Sequence, residues 1–550
     1  MTHNEDDALV FLPLGGSGEI GMNFNAYGFG PPGEEKWIIA DCGVLFGREG
    51  AAPGVDVIVP DVSFLAERRA DVLGLIATHG HEDHIGAIPH LWPDMRCPIY
   101  ATPFTARLIG AKLAEAGLTK AKLNAVPLKG RVTLGPFEIE FVTMTHSIPE
   151  PNALAIHTPL GTVVHSGDWK IDDGPLLGEN VDMSALQRLG DDGVLALVCD
   201  STNVMVMGHS GSEADVRVGL NNLIATLKGR VAVTAFASNV ARLETVAKAA
   251  VAAGRRVVLV GRAMHKMVDA AQACGYLKDF PKTTDEEAAG HMSPDTVLYL
   301  CTGSQGEPRA AMARIATGDH PYVKLGEGDK VIFSSRVIPG NELGIFAMQN
   351  HLTALGVEVL SAEDHFVHVS GHPAQDDIKQ LYGWLRPKIA IPVHGELRHQ
   401  SAHVRLAHSL GVKTVVPGAN GQMLRLAPGP VEVVDEVPSG RIHVDGSVLV
   451  PEGEGLARLR RSLSYAGLIA ISLVLDDKGR IAAEPTFVME GIPEIVQSAV
   501  RDAVDAALRR YKPKRDTEDA LSEAVRRAAR GAADDAWNKK PITRVVLTWL

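Results

Sequence analysis

Four potential metal ligands fall within six residues, directly after an apolar run that is typical of a β-strand. They are His79, His81, Asp83 and His84. Imidazole nitrogens and carboxylate oxygens are the ligands that zinc and manganese accept in proteins. A lone histidine is more often structural, whereas four ligands on one tight turn can face two adjacent ions. The spacing therefore predicts a metal site.

Three later residues of the same chemistry also stand at or near the ends of apolar runs. His146 follows one such run, Asp168 follows Thr162–His165, and His394 follows Ile389–Val393. Each of them alone is as consistent with a structural role as with metal binding, but the carboxylate of Asp168 is able to bridge two ions. Together with the first turn they predict two divalent ions per chain, with zinc favoured and manganese or magnesium as alternatives.

The elements that position these residues alternate along the chain. Short β-branched runs are followed by Ala- and Leu-rich helical stretches, which is typical of α/β proteins. Most predicted strands end in polar, Gly-rich sequence, for example Asp41-Cys42-Gly43 and Asp200-Ser201-Thr202. Because active sites of α/β proteins collect at the carboxyl ends of strands, we expect these segments to lie near the metal ligands.

With 550 residues, the chain is longer than a single hydrophobic core of about 250–300 residues allows. We expect a first domain in residues 1–211 that resumes in residues 381–445, because both segments carry His- and Asp-bearing strand ends. Residues 212–380 have their own strand–helix alternation and are predicted to form an inserted α/β domain. Gly- and Pro-rich sequence at 446–462 suits a linker, and residues 463–550 predict a small α+β domain.

The composition narrows the class of protein. The apolar fraction of 45% and the charged fraction of 22% are ordinary for a globular enzyme. The net charge of −12 gives no global attraction to nucleic acid, although a local basic groove can still bind a polyanion. No uncharged apolar run reaches the ~20 residues of a membrane helix, and the polar start Met1–Asp7 indicates no secretory signal. The five scattered cysteines are typical of reduced thiols, so we expect a cytoplasmic protein without membrane contact.

The order of the predicted ligands resembles the metal motif of the metallo-β-lactamase superfamily. More narrowly, the chain resembles the nucleic-acid-processing β-CASP branch and, within it, the ribonuclease J family. Beside the ligand turn, the resemblance rests on Leu12–Gly21, Cys301–Pro308, Ser334–Glu342 and His394-Gly395-Glu396. It implies an α/β fold in which a metallo-β-lactamase αββα sandwich carries an inserted α/β β-CASP domain and a small α+β C-terminal domain. The C-terminal region matches only in size and outline.

The resemblance also assigns the ligands to two ions. It implies that one ion is held by His79, His81 and His146, the other by Asp83, His84 and His394, and that Asp168 bridges them. Asp41 matches the first motif of the superfamily, which implies a carboxylate that orients a ligand from behind the site.

Catalytic roles follow from the same resemblance. Asp83 is expected to accept the proton of the attacking water as well as to bind metal. Asp200 matches the first β-CASP motif and is expected to orient a ligand or the general acid. His368 matches the second motif and is expected to donate a proton to the leaving oxygen. His394 stands at the third motif, where a histidine goes with RNA-acting members.

A pocket for a 5′ phosphate is expected beside the metals. Ser370, Gly371 and His372, together with His368, match the segment that receives the 5′ monophosphate of RNA in the ribonuclease J family. The alternative is a turn in which Ser and His cap a helix. The pocket implies a 5′-to-3′ exonuclease that prefers 5′-monophosphate ends. The resemblance allows endonuclease activity in addition, and it implies a role in mRNA decay and rRNA processing.

The resemblance further implies single-stranded RNA as a partner, a homodimer or homotetramer, and contacts with an RNA-decay complex. Three alternatives stay open. A small-molecule metallo-hydrolase would share the ligand set but would not need the inserted domain. A β-CASP nuclease acting on DNA is closer, although His394 favours RNA. A non-catalytic RNA-binding subunit would keep the fold and lose several ligands, whereas this chain has the complete set.

Overall fold

The computed structural model of the chain describes residues 4–47, 52–513 and 515–550, so Met1–His3 of the polar start lie outside the described part. By internal contacts the chain divides into two units. The larger comprises Met1–Leu45 and Val59–Gly440, and the smaller comprises Phe46–Ile58 and Arg441–Leu550. Within the described ranges no helix combines the length and the apolar character needed to cross a bilayer.

The first described segments alternate short strands with helices. The strands are β1 (Ala8–Gly15), β2 (Ser17–Gly18), β3 (Phe24–Gly30), β4 (Lys36–Ala40), β5 (Leu45–Phe46), β6 (Val57–Pro60), β7 (Val72–Ile76), β8 (Ile99–Ala101) and β9 (Leu123–Ala125). The helices are α1 (Ser63–Glu67), α2 (Glu82–Ile85), α3 (Ile88–Met95) and α4 (Pro103–Glu115). Next come β10 (Arg131–Leu134), β11 (Phe137–Thr143), β12 (Asn152–Thr158), β13 (Gly161–His165), α5 (Met183–Asp192) and β14 (Val194–Asp200).

The middle of the chain is a regular strand–helix alternation. It comprises α6 (Glu213–Thr226), β15 (Val231–Thr234), α7 (Val240–Ala252), β16 (Arg256–Val260), α8 (Arg262–Ala273), α9 (Glu286–Gly290), a 3₁₀ turn (Pro294–Thr296), β17 (Val297–Cys301), α10 (Ala311–Ala316), β18 (Lys330–Phe333), α11 (Glu342–Ala354), β19 (Glu358–Leu360) and α12 (Gln375–Leu385). The larger unit then closes with β20 (Ile389–Val393), β21 (Gly395–Glu396), α13 (Leu397–Ser409), β22 (Thr414–Val415), β23 (Gln422–Ala427) and β24 (Glu432–Glu436).

Two sheets form the centre of the larger unit. One has the order β24-β23-β1-β3-β4-β7-β8-β9, and the other has the order β10-β11-β12-β13-β14-β20-β22. Side chains alternate along the strands, as β12 shows: Leu154 and Ile156 belong to the core that both sheets share, whereas Ala153 and Ala155 pack with helix residues such as Leu381. This is the predicted αββα sandwich.

The inserted segment forms a separate, fully parallel sheet of order β16-β17-β15-β18-β19. One face packs against apolar residues of α6, α7 and α8, and the other packs against α10 and α11. Strands buried on both faces are continuous apolar runs, such as Val297–Cys301, because both sides of a parallel sheet are covered by helices. The predicted α/β insertion is confirmed.

The smaller unit has a four-stranded sheet of order β26-β25-β6-β5 and a three-stranded sheet of order β28-β27-β29. Its elements are β25 (Arg441–Asp445), β26 (Val448–Pro451), a 3₁₀ turn (Glu452–Glu454), α14 (Leu456–Ala466), β27 (Leu468–Leu475), β28 (Thr486–Glu490), α15 (Glu494–Arg510), α16 (Glu518–Trp537) and β29 (Ile542–Trp549). Alternate residues of β27 are buried and pack against apolar residues of α15 and α16, which makes the region α+β as predicted.

Residues 446–462, whose composition suits a linker, contain β26 and the first part of α14. The reason is that Val448–Pro451 pairs antiparallel with β25. The domain limits derived from the sequence stay predictions.

The fold also explains why the predicted site residues meet. Strands β4 and β7 run parallel to each other, as do β13, β14 and β20. Their carboxyl ends lead directly into the segments that carry Asp41, His79, Asp168, Asp200 and His394. Two of these residues, Asp41 and His394, adopt positive φ values of 67° and 49°, a conformation that non-glycine residues hold mainly where the surroundings impose it.

Candidate metal centre

Three histidines from two loops point their ring nitrogens at one another. His81 Nδ1 lies 3.1 Å from His79 Nε2 and 3.0 Å from His146 Nε2. Burial is the largest effect on all three groups: it lowers the pKa of His81 to about 4 and holds the pKa values of His79 and His146 well below their usual range. The three imidazoles are therefore neutral and keep lone pairs available for a ligand.

This arrangement fits a metal ion. One nitrogen of His81 faces two other ring nitrogens, and it cannot satisfy both of them as a single donor or acceptor. Nitrogens at about 2.0–2.1 Å from a tetrahedral zinc ion are separated by roughly 3.3 Å, close to the spacing found here.

A second cluster contains Asp83, His84, His394 and Asp168. Asp168 Oδ2 lies 3.2 Å from His84 Nε2, and Asp83 Oδ2 lies 3.7 Å from His84 Nε2 and 3.4 Å from His394 Nε2. His394 Nε2 is buried and makes no hydrogen bond with any described residue, so this nitrogen is left for a ligand that the protein does not supply.

Asp168 belongs to both clusters. Its Oδ1 lies 2.7 Å from His394 Nδ1, and its Oδ2 lies 3.9 Å from His79 Nε2 and 3.7 Å from His146 Nε2. Burial opposes ionisation, but the charges of His394, His84 and other neighbours outweigh it and hold the pKa of Asp168 well below its usual range. A buried, ionised carboxylate between two sets of imidazoles fits the predicted bridging position.

Asp41 holds ligands from behind. His84 Nδ1 donates to Asp41 Oδ2 at 2.7 Å, which leaves His84 Nε2 to face the cluster. Thr78 donates to the same carboxylate through its backbone N–H at 2.7 Å and its hydroxyl at 2.8 Å, and Thr78 Oγ1 also lies 3.0 Å from His79 Nδ1. A hydrogen bond to the second ring nitrogen fixes the tautomer and orientation of a metal-binding histidine.

A third cluster joins His372 and Asp200 to Asp168 and His394. His372 Nδ1 lies 2.8 Å from Asp200 Oδ2 and 3.8 Å from Asp168 Oδ2. Burial alone would lower the pKa of His372, but the carboxylates of Asp200 and Asp168 outweigh it and raise that pKa. The two carboxylates thus favour the protonated form of His372 relative to a free imidazole.

His368 does not join these clusters. Its Nδ1 lies 3.5 Å from Arg242 Nη1, and burial together with the charges of Arg242, Arg336 and Lys170 lowers its pKa to about 3. An imidazole that stays neutral at pH 7 is a poor proton donor. The placement therefore disfavours the role that the sequence predicts for His368.

The other predicted pocket residues lie against the metal centre. Gly371 O accepts a hydrogen bond of 2.5 Å from His146 Nδ1. Ser370 Oγ accepts from the backbone N–H of His372 at 3.2 Å and from Asn203 Nδ2 at 2.6 Å. The segment Ser370–His372 is therefore tied both to a predicted ligand and to the loop that follows β14.

Two features of the site carry no signal in the sequence. Asn23 Nδ2 lies 3.0 Å from His84 Nε2 and donates to Asp83 O at 3.1 Å. Behind Asp200, Ser201 Oγ lies 2.9 Å from His403 Nδ1, and Tyr382 OH lies 2.9 Å from His403 Nε2. These contacts appear only in the folded structure, and all that the sequence shows is that Asn23 lies two residues after the Leu12–Gly21 motif.

Comparison with family profiles covers most of the chain. Residues 25–187 match the metallo-β-lactamase superfamily, and residues 228–352 match the profile described as "Ribonuclease J, beta-CASP domain". Residues 357–417 match a "Zn-dependent metallo-hydrolase RNA specificity domain", and residues 456–549 match the "Ribonuclease J C-terminal domain".

Relatives match along nearly the whole length. The chain is 46% identical to ribonuclease J of Sinorhizobium meliloti, over 99% of this chain and 98% of the relative. It is 39% identical to ribonuclease J of Corynebacterium glutamicum, over 98% of this chain and 75% of the relative. It is 37% identical to ribonuclease J of Thermus thermophilus, over 85% of this chain and 82% of the relative.

A solved structure of a protein of unknown function from Enterococcus faecalis resembles the fold, with a TM-score of 0.52 and 14% identity over 76% of this chain and 100% of that one. At this identity the likeness concerns the fold alone. With the full-length relatives and the metallo-β-lactamase, β-CASP and C-terminal profiles, the His and Asp clusters lead to one conclusion: the chain belongs to the ribonuclease J family.

Proposed function

We propose that this chain is a metal-dependent ribonuclease that hydrolyses RNA phosphodiesters with two divalent ions and degrades RNA from the 5′ end. The observation that carries the proposal is that the first two ligand clusters, His79/His81/His146 and Asp83/His84/His394, both include Asp168. The donor set of imidazoles and carboxylates suits zinc best, with manganese or magnesium as alternatives.

When bound, the two ions would acidify the attacking water and offset negative charge on the scissile phosphate. His79, His81 and His146 would hold one ion, and Asp83, His84 and His394 the other, with Asp168 between them. The side chain of Asp83 is about 30% exposed, against 2% for His84 and Asp168, and it is the proposed acceptor for the proton of the water.

For the leaving oxygen, His372 replaces His368 as the proposed proton donor. The hydrogen bond to Asp200 orients the ring of His372, and the carboxylates of Asp200 and Asp168 favour its protonated form. A positioned, protonated imidazole is a suitable general acid.

The preference for a 5′ monophosphate is proposed for the segment Ser370–His372. A serine hydroxyl and backbone N–H groups can donate hydrogen bonds to phosphate oxygens. Burial and the charges of Arg242, Arg336 and Lys170 depress the pKa of His368, and of these three cations Arg336 has no carboxylate partner among the described residues, so a positive charge lies beside this segment. A cationic pocket next to the metal centre is what a terminal phosphate requires.

RNA is the proposed substrate because residues 357–417 match an RNA specificity domain and because the full-length relatives are ribonucleases by name. Internal cleavage is proposed as a second mode of the same centre. The further proposals are a homodimer or homotetramer, contacts with an RNA-decay complex in mRNA decay and rRNA processing, and a cytoplasmic location. The location is supported by the cysteines, which are all free.

A substrate panel tests the proposal. The protein would be incubated with 5′-monophosphorylated RNA, 5′-triphosphorylated RNA, duplex DNA and a cephalosporin, with and without added Zn or Mn. The proposal requires metal-dependent loss of RNA, with the monophosphorylated form degraded faster than the triphosphorylated form. Hydrolysis of DNA or the cephalosporin in place of RNA would support the alternative hydrolases instead.

A further inference from the structure

We propose that Asn203 and Arg336 act as a pair that sets the preference for 5′-phosphorylated RNA. In this proposal Asn203 positions the Ser370–His372 segment, and Arg336 brings a positive charge to the 5′ phosphate. The inference rests on the proposed function and deepens it, because it assigns the selectivity of the pocket to a contact between the first domain and the inserted domain.

Asn203 is a bridge between three segments. It follows Asp200 at the end of β14 and is buried. Its Nδ2 donates to Ser370 Oγ at 2.6 Å and to the carbonyl oxygen of His372 at 3.2 Å, while its Oδ1 accepts from Arg336 Nη1 at 2.8 Å. The orientation of the amide is fixed by chemistry, because an arginine can only donate and a carbonyl oxygen can only accept.

Arg336 differs from the other cations near the pocket. Lys170 is paired with Asp172 at 2.8 Å, and Arg242 is paired with Glu213 at 2.8 Å. Arg336 is exposed, its guanidinium donates to the neutral amide of Asn203, and it forms no ion pair with a carboxylate in the described part of the chain. Its charge is therefore uncompensated and accessible to an anion.

The backbone around Arg336 is held in place. Gln305 Nε2 donates to the carbonyl oxygen of Arg336 at 2.8 Å. Two residues earlier, Ser334 O accepts from the buried Arg242 Nη1 at 2.9 Å, and Ser334 Oγ donates to Val367 O at 2.8 Å. The loop after β18 is thus fixed to the loop that follows β17 and to the segment that leads into the pocket.

The chemistry of the pair selects for a terminal phosphate. A guanidinium presents several N–H groups in a planar fork, so one edge can bond to Asn203 while another meets phosphate oxygens. A 5′-hydroxyl end offers no charge for this contact. Asn203 links the phosphate contact to His372, because the same amide also holds the carbonyl of that residue.

The test compares two forms of one RNA oligonucleotide, with a 5′ monophosphate and with a 5′ hydroxyl, and measures the ratio of their kcat/KM values. The variants are Asn203→Ala, Arg336→Gln, Arg336→Lys and the double variant Asn203→Ala/Arg336→Gln. The control is Arg256→Gln, an exposed arginine at the first residue of the edge strand β16, which lies three strands away from β18 in the inserted sheet.

We expect Arg336→Gln and Asn203→Ala each to lower the ratio about tenfold or more, as for loss of a hydrogen bond to a charged group. The double variant should lower the ratio no further than the stronger of the two single changes. Arg336→Lys should retain part of the preference for the monophosphate, and the control should have the wild-type ratio.

A ratio that stays at the wild-type value in folded Arg336→Gln overturns the inference, even if Asn203→Ala does not fold. If the wild type prefers 5′-monophosphorylated RNA and both Asn203→Ala and Arg336→Gln show the same preference, the inference fails and the proposed function stands. If the wild type shows no preference for the monophosphate, the proposed pocket and the inference both fail.

Discussion

His146 donates a hydrogen bond of 2.5 Å from Nδ1 to the carbonyl oxygen of Gly371, so a predicted metal ligand is anchored by the predicted phosphate pocket. This contact makes the metal centre and the pocket one assembly. It also leaves Nε2 as the ring nitrogen of His146 that faces the predicted metal site, because Nδ1 is occupied.

The first prediction concerns Gly371→Ala. An added Cβ would lie 2.7 Å from Cε1 and 2.8 Å from Nδ1 of His146, so the ring must move. We expect weaker metal binding, by about tenfold or more, and a matching loss of RNA hydrolysis. Metal titration of the purified variant measures the first effect, and Gly383→Ala is the control, because its Cβ would meet nothing within 4 Å. Unchanged metal affinity in Gly371→Ala would contradict the placement.

Asp41→Asn tests the support behind the ligands. The change leaves the shape but removes the charge that accepts from His84 and Thr78. We expect metal affinity to fall by roughly 10–100-fold. Measured metal content after dialysis against a competing chelator reports this directly, with exposed Asp435→Asn as the control. Equal retention of metal in the two variants would rule out the proposed role.

Whether His372 or His368 donates the proton to the leaving oxygen is tested by replacing each of them with alanine. Because His372 is the one held by Asp200, we expect His372→Ala to lower kcat by about 10²–10⁴-fold with metal content preserved. His368→Ala should lower kcat much less. If single-turnover rates show the opposite order, the assignment made from the sequence is the better one.

This pair of histidines shows where the sequence stops being informative. His79, His81, Asp83 and His84 could be predicted because their meeting is decided within one turn. His368 and His372 lie four residues apart on one segment. Only the folded contacts, with Arg242 for His368 and with Asp200 for His372, decide which of them lies beside the predicted ligand clusters.

The fold was predictable for a similar reason. Strands and helices follow from local patterns of apolar residues, and the family motifs assign their order. By contrast, Ser201 and His403 are 202 positions apart, and no local pattern marks their contact. The strand β26 was equally hidden, because a Gly- and Pro-rich segment became a strand through its pairing with β25.

The buried His403 leads to a prediction on pH. Burial lowers its pKa to about 4 despite the nearby carboxylate of Asp200, whereas the unfolded chain has the ordinary value of 6.5. Between these values the unfolded state binds the proton more readily, so stability falls as the pH falls. We expect the titration of His403 to lower the free energy of unfolding by about 2 kcal/mol when the pH falls from about 7.5 to about 5.

Urea unfolding of the wild type and of His403→Gln at both pH values measures this. The variant is expected to lose less stability on acidification than the wild type, whatever its stability at the higher pH. An identical loss in the two proteins would show that His403 is not held neutral by the fold.

The central claim is that the clusters around Asp168 hold the ions that hydrolyse RNA from its 5′ end. The most direct measurement is product analysis on 5′-labelled monophosphorylated RNA with metal-loaded wild type and with the variant His81→Ala/Asp83→Ala. The account predicts release of labelled mononucleotide by the wild type and almost none by the folded variant. Near-normal hydrolysis by that variant would contradict it.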